Sequence, residues 1–235
     1  MAKKRAVCLL SGGLDSCVTA YIAQQQGYTC YALTFMYGQM HTKEIECAKH
    51  IALHLNVTEH LVFALDLKRF GGSALVDPEQ IIPQKNYDDI GTSIPSTYVP
   101  ARNTIFLSIA IAWAETLHAD SIFIGANAVD YSGYPDCRPE YFKAFKHLVK
   151  YATKQAVEGK AIDIKTPLLA LSKSDIIKKG VALNAPLHLT WSCYKGESMA
   201  CGTCDSCQLR LKGFTKAGVN DPLPYADYPH WYRQH

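Results

Sequence analysis

A chain of 235 residues with nine cysteines and a formal net charge of +3 is long enough to bury a core without disulfides. So small a charge argues against a strong field for nucleic acid, and no apolar run reaches the length of a membrane span. The apolar run behind Lys3, Lys4 and Arg5 stops at Ser11, too short for a secretory leader, so a cytoplasmic protein is expected.

The first expected strand, Ala6 to Leu10, runs into Ser11-Gly12-Gly13-Leu14-Asp15-Ser16, and a helix is expected from Leu14 to Gln26. A glycine turn between strand and helix aims backbone N–H groups and the positive helix end at one point, which suits phosphate. Ser11 and Ser16 add hydroxyl donors. Asp15 is a carboxylate beside that cradle, and Mg²⁺ bridging it to phosphate oxygens would relieve the repulsion. The plainer reading is a turn in which Asp15 or Ser11 caps the helix. The stretch resembles the S-G-G-x-D-S signature of the PP-loop ATP pyrophosphatases, which transfer AMP from ATP to an oxygen and release pyrophosphate.

Tyr28 to Tyr37 is apolar enough for a strand buried on both faces. Ile45, Ala48, Ile51, Ala52 and Leu55 set helical spacing over Lys43 to Leu55, with His50 and His54 on the opposite, solvated face. Leu61 to Leu65 is a third strand, and Lys68 to Thr97 has no period, as a lid or binding loop would. After Val99-Pro100-Ala101-Arg102-Asn103 a helix is expected from Thr104 to His118, then a strand from Ser121 to Ala126. This alternation predicts an α/β fold with a doubly wound parallel sheet, whose ligands bind beyond the carboxyl ends of the strands.

Asp130-Tyr131-Ser132-Gly133-Tyr134-Pro135-Asp136-Cys137-Arg138 carries too much chemistry for a plain connector. Asp130 or Asp136 can accept the N–H donors of a guanine-like edge, Arg138 can hold a carboxylate, and Tyr131 or Tyr134 can stack on a flat ring. A capped loop with a local Asp–Arg pair is the bland alternative. Arg138 favours a Cys137 thiolate and Asp136 opposes it, so the thiol is not assigned as a nucleophile. Glu140 to Glu158 reads as one amphipathic helix with a wet lysine face. Ile162 to Ile164 is a last strand, and Ser172 caps a helix running through Lys179 and ended by Gly180, with Lys173 a candidate phosphate ligand.

Cys193, Cys201, Cys204 and Cys207 supply four soft thiolates within fifteen residues, one tetrahedral site for which Zn²⁺ is the commonest occupant. Gly196 and Gly202 provide turns, and Lys195, Arg210 and Lys212 can offset the charge of the centre. An iron–sulfur cluster is the rival, but the fourth cysteine followed by proline that a ferredoxin run needs is missing. Filled by four ligands, the site is structural. The expected organisation is an ATP-binding body over 1–185 and a zinc-binding subdomain over 186–235.

Taken in order, these motifs resemble the 7-cyano-7-deazaguanine synthase family of PP-loop enzymes over nearly the whole chain. The matching stretches are Ser11 to Ser16, Tyr37-Gly38-Gln39 with His41, Val99 to Asn103, Asp130 to Arg138 and the four clustered cysteines. Ala101 stands where many members carry Gly, and Met40 where Arg is common. The resemblance implies that 7-carboxy-7-deazaguanine and ammonia are joined and dehydrated to the nitrile by two successive adenylations. It implies ATP held along Leu10, Ser11, Gly12, Gly13, Leu14, Asp15, Ser16 and Cys17 with Mg²⁺, and catalysis by Asp15, Ser16 and Lys173. Substrate would meet Arg102, Asn103, Asp130, Tyr134, Asp136 and Arg138. A homodimer without nucleic-acid or membrane partners is expected.

Overall fold

The computed structural model describes residues 3–39, 43–77, 79, 94–129, 133–195 and 198–232. Its centre is a five-stranded sheet formed by β1 (Arg5–Leu9), β2 (Thr29–Met36), β3 (His60–Ala64), β4 (Ser121–Phe123) and β5 (Asp163–Lys165). The strand order is β3-β2-β1-β4-β5 and every pairing is parallel. Period-two alternation explains the two cores: Ala6, Cys8 and Leu10 point to one face, Val7 and Leu9 to the other. Helices α1 (Leu14–Gln25), α2 (Lys43–Leu55) and α6 (Lys173–Ala182) cover the first face. Helices α3 (Arg102–Thr116) and α4 (Pro139–Ala152) cover the second. The doubly wound sheet expected from the sequence is therefore present, and its order reverses at β1, which opens a crevice at that strand's carboxyl end.

Several boundaries differ from expectation for identifiable reasons. The helix expected over 140–158 is two, α4 and a short α5 (Lys154–Val157). Thr153 interrupts it by taking extended backbone and accepting a bond from Ala156 N at 3.1 Å. Gly180 does not end α6, which continues to Ala182. A Cβ there would lie 2.9 Å from Val18 and 3.0 Å from Leu187, so the glycine serves packing. The strand from Ser121 stops at Phe123, leaving Gly125, Ala126 and Asn127 free to enter the crevice. Within the expected long loop, Ser73, Ala74 and Val76 are buried, and Ala74 N donates to Ser96 O at 2.8 Å, so the described ends of that segment are anchored. Ala101 sits at φ +54 as the N-cap of α3, a backbone region that glycine adopts with less strain.

Helix α7 (Asp205–Ala217) follows the cysteines and packs on α6. Around its start a third core joins Trp191, the four cysteines, Leu211, Leu223 and Tyr225. Arg210 and Asp221, with side chains only 3% and 1% exposed, form a buried pair at 2.7 and 2.9 Å that fixes the C-terminal stretch to α7. Arg210 is thus committed first to Asp221 rather than to balancing the cysteines. Among the described residues, no helix is long and apolar enough to cross a membrane.

Candidate active site and metal centre

Beyond β1 lies a cavity of about 280 Å³. Its floor is the turn between β1 and α1. The Ser16 hydroxyl knots this turn, donating to Gly13 O at 2.9 Å and accepting from Ser11 N at 3.1 Å. Gly13 is the N-cap of α1 and no side chain caps the helix, so its first-turn amides are left for an anion. Gly12 takes φ +86 and packs so tightly under α2 that a Cβ would collide with the Glu44 carbonyl oxygen. Asp15 and Lys173, 158 residues apart, meet at the cavity with Nζ–oxygen distances of 2.8 and 2.9 Å.

The opposite wall brings Arg102 from the first turn of α3. Its Nη1 donates to the Tyr37 hydroxyl at 3.3 Å, and the guanidinium lies 5.7 Å from that ring's centroid. Burial alone would lower the Arg102 pKa, but Tyr37, Tyr134 and Cys137 around it hold it above the ordinary value. Glu44, from the first turn of α2, also lines the cavity, and its carboxylate has no hydrogen-bond or ion-pair partner among the described residues. Burial pushes its carboxyl up to about 7, against the pull of Arg102. Phe35 and Phe106, stacked with centroids 4.0 Å apart, give the cavity a flat apolar side.

The structure separates the residues expected to bind ligands. Leu10, Ser11, Gly13, Leu14, Asp15, Ser16, Lys173, Arg102, Asn103 and Tyr134 line the cavity. Gly12 does not; its carbonyl accepts from Trp191 N at 2.9 Å and ties the turn to the C-terminal segment. Cys17 is fully buried in the core, where burial raises its thiol to about 12, so its side chain faces away from any nucleotide. Asp136 is also absent from the lining: its Oδ2 accepts from Asn103 N at 2.9 Å, and Asn103 Nδ2 donates to its carbonyl at 3.0 Å. That pair of hydrogen bonds clasps the start of α3 and so aims Arg102. Arg138 is exposed, serves as the N-cap of α4 and lies outside the lining. Asp130, Tyr131 and His41 lie outside the described residues. Cys137 is in the wall, but burial and the adjacent Asp136 push its thiol up to about 11, which leaves it unreactive near neutral pH.

Glu44, Tyr194, Ser206 and Arg210 also line the cavity, and no local pattern in the sequence pointed to them. Glu44 sits in an ordinary amphipathic helix. The other three reach the cavity only because the cysteine segment folds back over the turn.

The sulfurs of Cys193, Cys201, Cys204 and Cys207 all lie within 4.8 Å of one another, and all four residues are buried. Cys201 and Cys207 Sγ are 3.9 Å apart. A tetrahedron with Zn–S bonds of about 2.3 Å has S···S edges of roughly 3.8 Å, so the cluster fits one such ion. Cys201 N and Cys204 N each donate to a cluster sulfur at 3.3 Å, which favours thiolate ligands.

A family model described as "Queuosine biosynthesis protein QueC" matches residues 5–218. A 7-cyano-7-deazaguanine synthase of Saccharophagus degradans is 53% identical over 229 residues, covering 97% of this chain and 100% of its own. One of Thermoplasma volcanium is 54% identical, covering 97% and 94%. An NMN synthetase structure from Francisella tularensis covers 93% of this chain and 79% of its own at 18% identity, with a TM-score of 0.47, too distant a likeness to carry an argument.

Proposed function

The chain belongs to the queuosine biosynthesis QueC family, and on that premise we propose that it is a C–N ligase converting 7-carboxy-7-deazaguanine, ammonia and ATP to 7-cyano-7-deazaguanine. One observation carries this reading. A phosphate cradle with the Asp15–Lys173 pair and a cavity-facing guanidinium, Arg102, share a single cavity. That arrangement suits a triphosphate and a carboxylate held side by side, which is what adenylation needs.

In this reading the first-turn amides of α1 hold phosphate oxygens, and Ser11 and Ser16 add their hydroxyls by turning from the bonds that knot the turn. Lys173 turns from Asp15 to the charge that develops as pyrophosphate leaves. Asp15, a hard oxygen donor at the cradle, fits Mg²⁺, which would neutralise phosphate charge when bound. Arg102 grips the substrate carboxylate bidentately and keeps one oxygen aimed at the α-phosphate. After ammonia displaces AMP, the amide oxygen occupies the same position for the second adenylation. Asn103 and Tyr134 bound the base. The guanine-like edge is assigned to Asp130 in preference to Asp136, whose carboxylate already holds Asn103.

The four cysteines would hold Zn²⁺ in a closed structural site, with residues 186–235 as a subdomain completing the ATP-binding body of 1–185. An RNA-thiolating activity on the same scaffold would need a low-pKa cavity thiol. Cys137, the cavity thiol outside the cysteine cluster among the described residues, is raised instead.

The test is to incubate the protein with ATP, Mg²⁺, ammonium and 7-carboxy-7-deazaguanine and follow products by mass spectrometry. Nitrile with AMP and pyrophosphate is expected. Amide without nitrile would reassign the chain to an amide-forming reaction, and no substrate-dependent AMP would overturn the proposal.

A further inference from the structure

An ammonium ion carries four N–H bonds and a nitrile nitrogen none, so each turnover of the proposed reaction removes four protons from nitrogen. The phosphate cradle does not supply an acceptor for them. We infer that Glu44 is that acceptor, a catalytic base that takes protons from nitrogen in both halves of the reaction. The inference rests on the reading of substrate and product given above.

Elimination within the cavity leads to this carboxylate. Asp15 is held by both of its oxygens to Lys173, and in the reading above it would serve Mg²⁺ once Lys173 turns to the phosphates. Arg102 and Arg210 have no basic form in the working range. The Tyr37 and Tyr134 hydroxyls are pushed up by burial, as is the Cys137 thiol, so none of the three is a base at neutral pH. Cys193 belongs to the metal cluster. No histidine lines the cavity among the described residues. Of the two carboxylates in the lining, Asp15 and Glu44, the second remains, on a half-buried residue and without a hydrogen-bond or ion-pair partner among the described residues. It is fixed in place because its own carbonyl packs on Gly12 of the phosphate turn.

The groups that act on Glu44 are Arg102 from α3, Tyr37 from the end of β2 and Cys193 from the cysteine segment, with Cys47 on its own helix. Arg102 is the cation among them. It tethers the substrate carbon near the carboxylate without bonding to it.

In the first half, Glu44 takes one proton from ammonium, freeing the lone pair that attacks the acyl adenylate. The C–N bond forms, the C–O bond to AMP breaks with its electron pair leaving on AMP, and a second proton passes from nitrogen to the carboxylate. In the second half, the amide oxygen displaces pyrophosphate from the α-phosphate and nitrogen gives up its third proton. Loss of the fourth turns C=N into C≡N as AMP departs. Between steps the carboxylic acid returns each proton to solvent through the cavity that it lines. A base with a pKa near the working pH is suited to such repeated transfer.

The decisive comparison is wild type against Glu44→Gln, reading three products separately: pyrophosphate released on adding the carboxylate substrate, amide plus nitrile, and hydroxamate when hydroxylamine replaces ammonium. Hydroxylamine is largely unprotonated at neutral pH and a strong nucleophile, so it needs less help from a base. With Glu44→Gln, pyrophosphate release should stay within a few-fold of wild type. Amide and nitrile should fall by about 10²–10⁴-fold, and hydroxylamine should restore most of the trapped product. Amide formation at the wild-type rate would overturn the inference. So would a loss of pyrophosphate release as large as the loss of amide, which would make Glu44 part of adenylation, or a failure of hydroxylamine to rescue.

Melting temperature and bound metal report whether Glu44→Gln folds. If it does not, Glu44→Asp decides the matter by the same three products, with equal losses in all of them counting against a base. Wild-type protein that makes no nitrile would remove the parent reading together with this one. Nitrile at the same rate from both proteins would remove this one alone.

Discussion

At the scale of single residues, the cavity is built from side chains whose neighbours fix their protonation or their aim. Lys173 touches Asp15 at 2.8 and 2.9 Å and keeps its stem against α7. Lys173→Met preserves that stem and removes only the charge. Substrate-dependent pyrophosphate release should then drop by roughly 10²–10³, the usual effect of deleting one donor aimed at developing charge, with nucleotide-free protein melting within a few degrees of wild type. Glu44 makes a stability prediction with a definite sign. Its carboxyl titrates at about 7 in the folded protein against an ordinary 4.5, so ionising it costs folding free energy. That penalty is absent below about pH 4.5, grows as pH rises, and is complete above about pH 7. The difference corresponds to roughly 3 kcal/mol at most, and solvent at the cavity brings the expected value to about 1–2 kcal/mol. Glu44→Gln should therefore be more stable than wild type in denaturant titrations at pH 8 and indistinguishable at pH 4.5. A destabilised variant at pH 8 would contradict the sign.

At the scale of elements, the crossing of α6 and α7 decides where Lys173 points. Gly213 of α7 faces its stem so closely that a Cβ would collide with Lys173 Cγ, with Ile177 Cδ1 at 2.9 Å on the other side. An alanine normally favours a helix over glycine by about 1 kcal/mol, but here overpacking of about 1–3 kcal/mol opposes it. Gly213→Ala should lower the melting temperature and reduce turnover more than it raises the KM for ATP, with bound metal unchanged. Full turnover would show that α7 does not aim Lys173.

The same crossing marks where the sequence stops being legible. The βα alternation could be read because buried strands and apolar helix stripes are local patterns, and the Ser11–Ser16 turn because all its parts are adjacent. Helix α7 shows no such stripe, since Cys207, Gln208 and Arg210 are buried beside Leu209 and Leu211. Asp136 and Arg138 sit in a segment rich in ligand-like groups, yet one clasps α3 and the other faces solvent. Spacing alone cannot separate a clasp from a ligand. Glu44 and Arg210 become cavity residues only through contacts between elements far apart in the chain.

At the scale of the whole molecule, the cysteine cluster and the cavity beyond β1 are mechanically one object. Trp191 N is bonded to Gly12 O at 2.9 Å, Lys43 lies 3.5 Å over the Trp191 ring and donates to Ser198 O at 2.7 Å. Trp191, Ser192, Tyr194, Ser206 and Arg210 all wall the cavity. Cys204 is the N-cap of α7 and is 0% exposed, so a metal held there orders both the helix start and the segment that folds back over the phosphate turn. Structural Zn²⁺ sites in small peptides are worth about 10–16 kcal/mol of apparent binding energy, comparable with the whole net stability of a domain. Cys204→Ala should therefore lose bound metal, melt well below wild type and show red-shifted tryptophan emission as Trp191 becomes wet. It should also bind ATP more weakly, although position 204 does not line the cavity. Removing metal from wild type with a strong chelator should reproduce all four changes, and restoring Zn²⁺ should reverse them. A Cys204→Ala protein with wild-type melting and wild-type ATP affinity would separate the two sites and leave the cysteines without a part in holding the cavity wall.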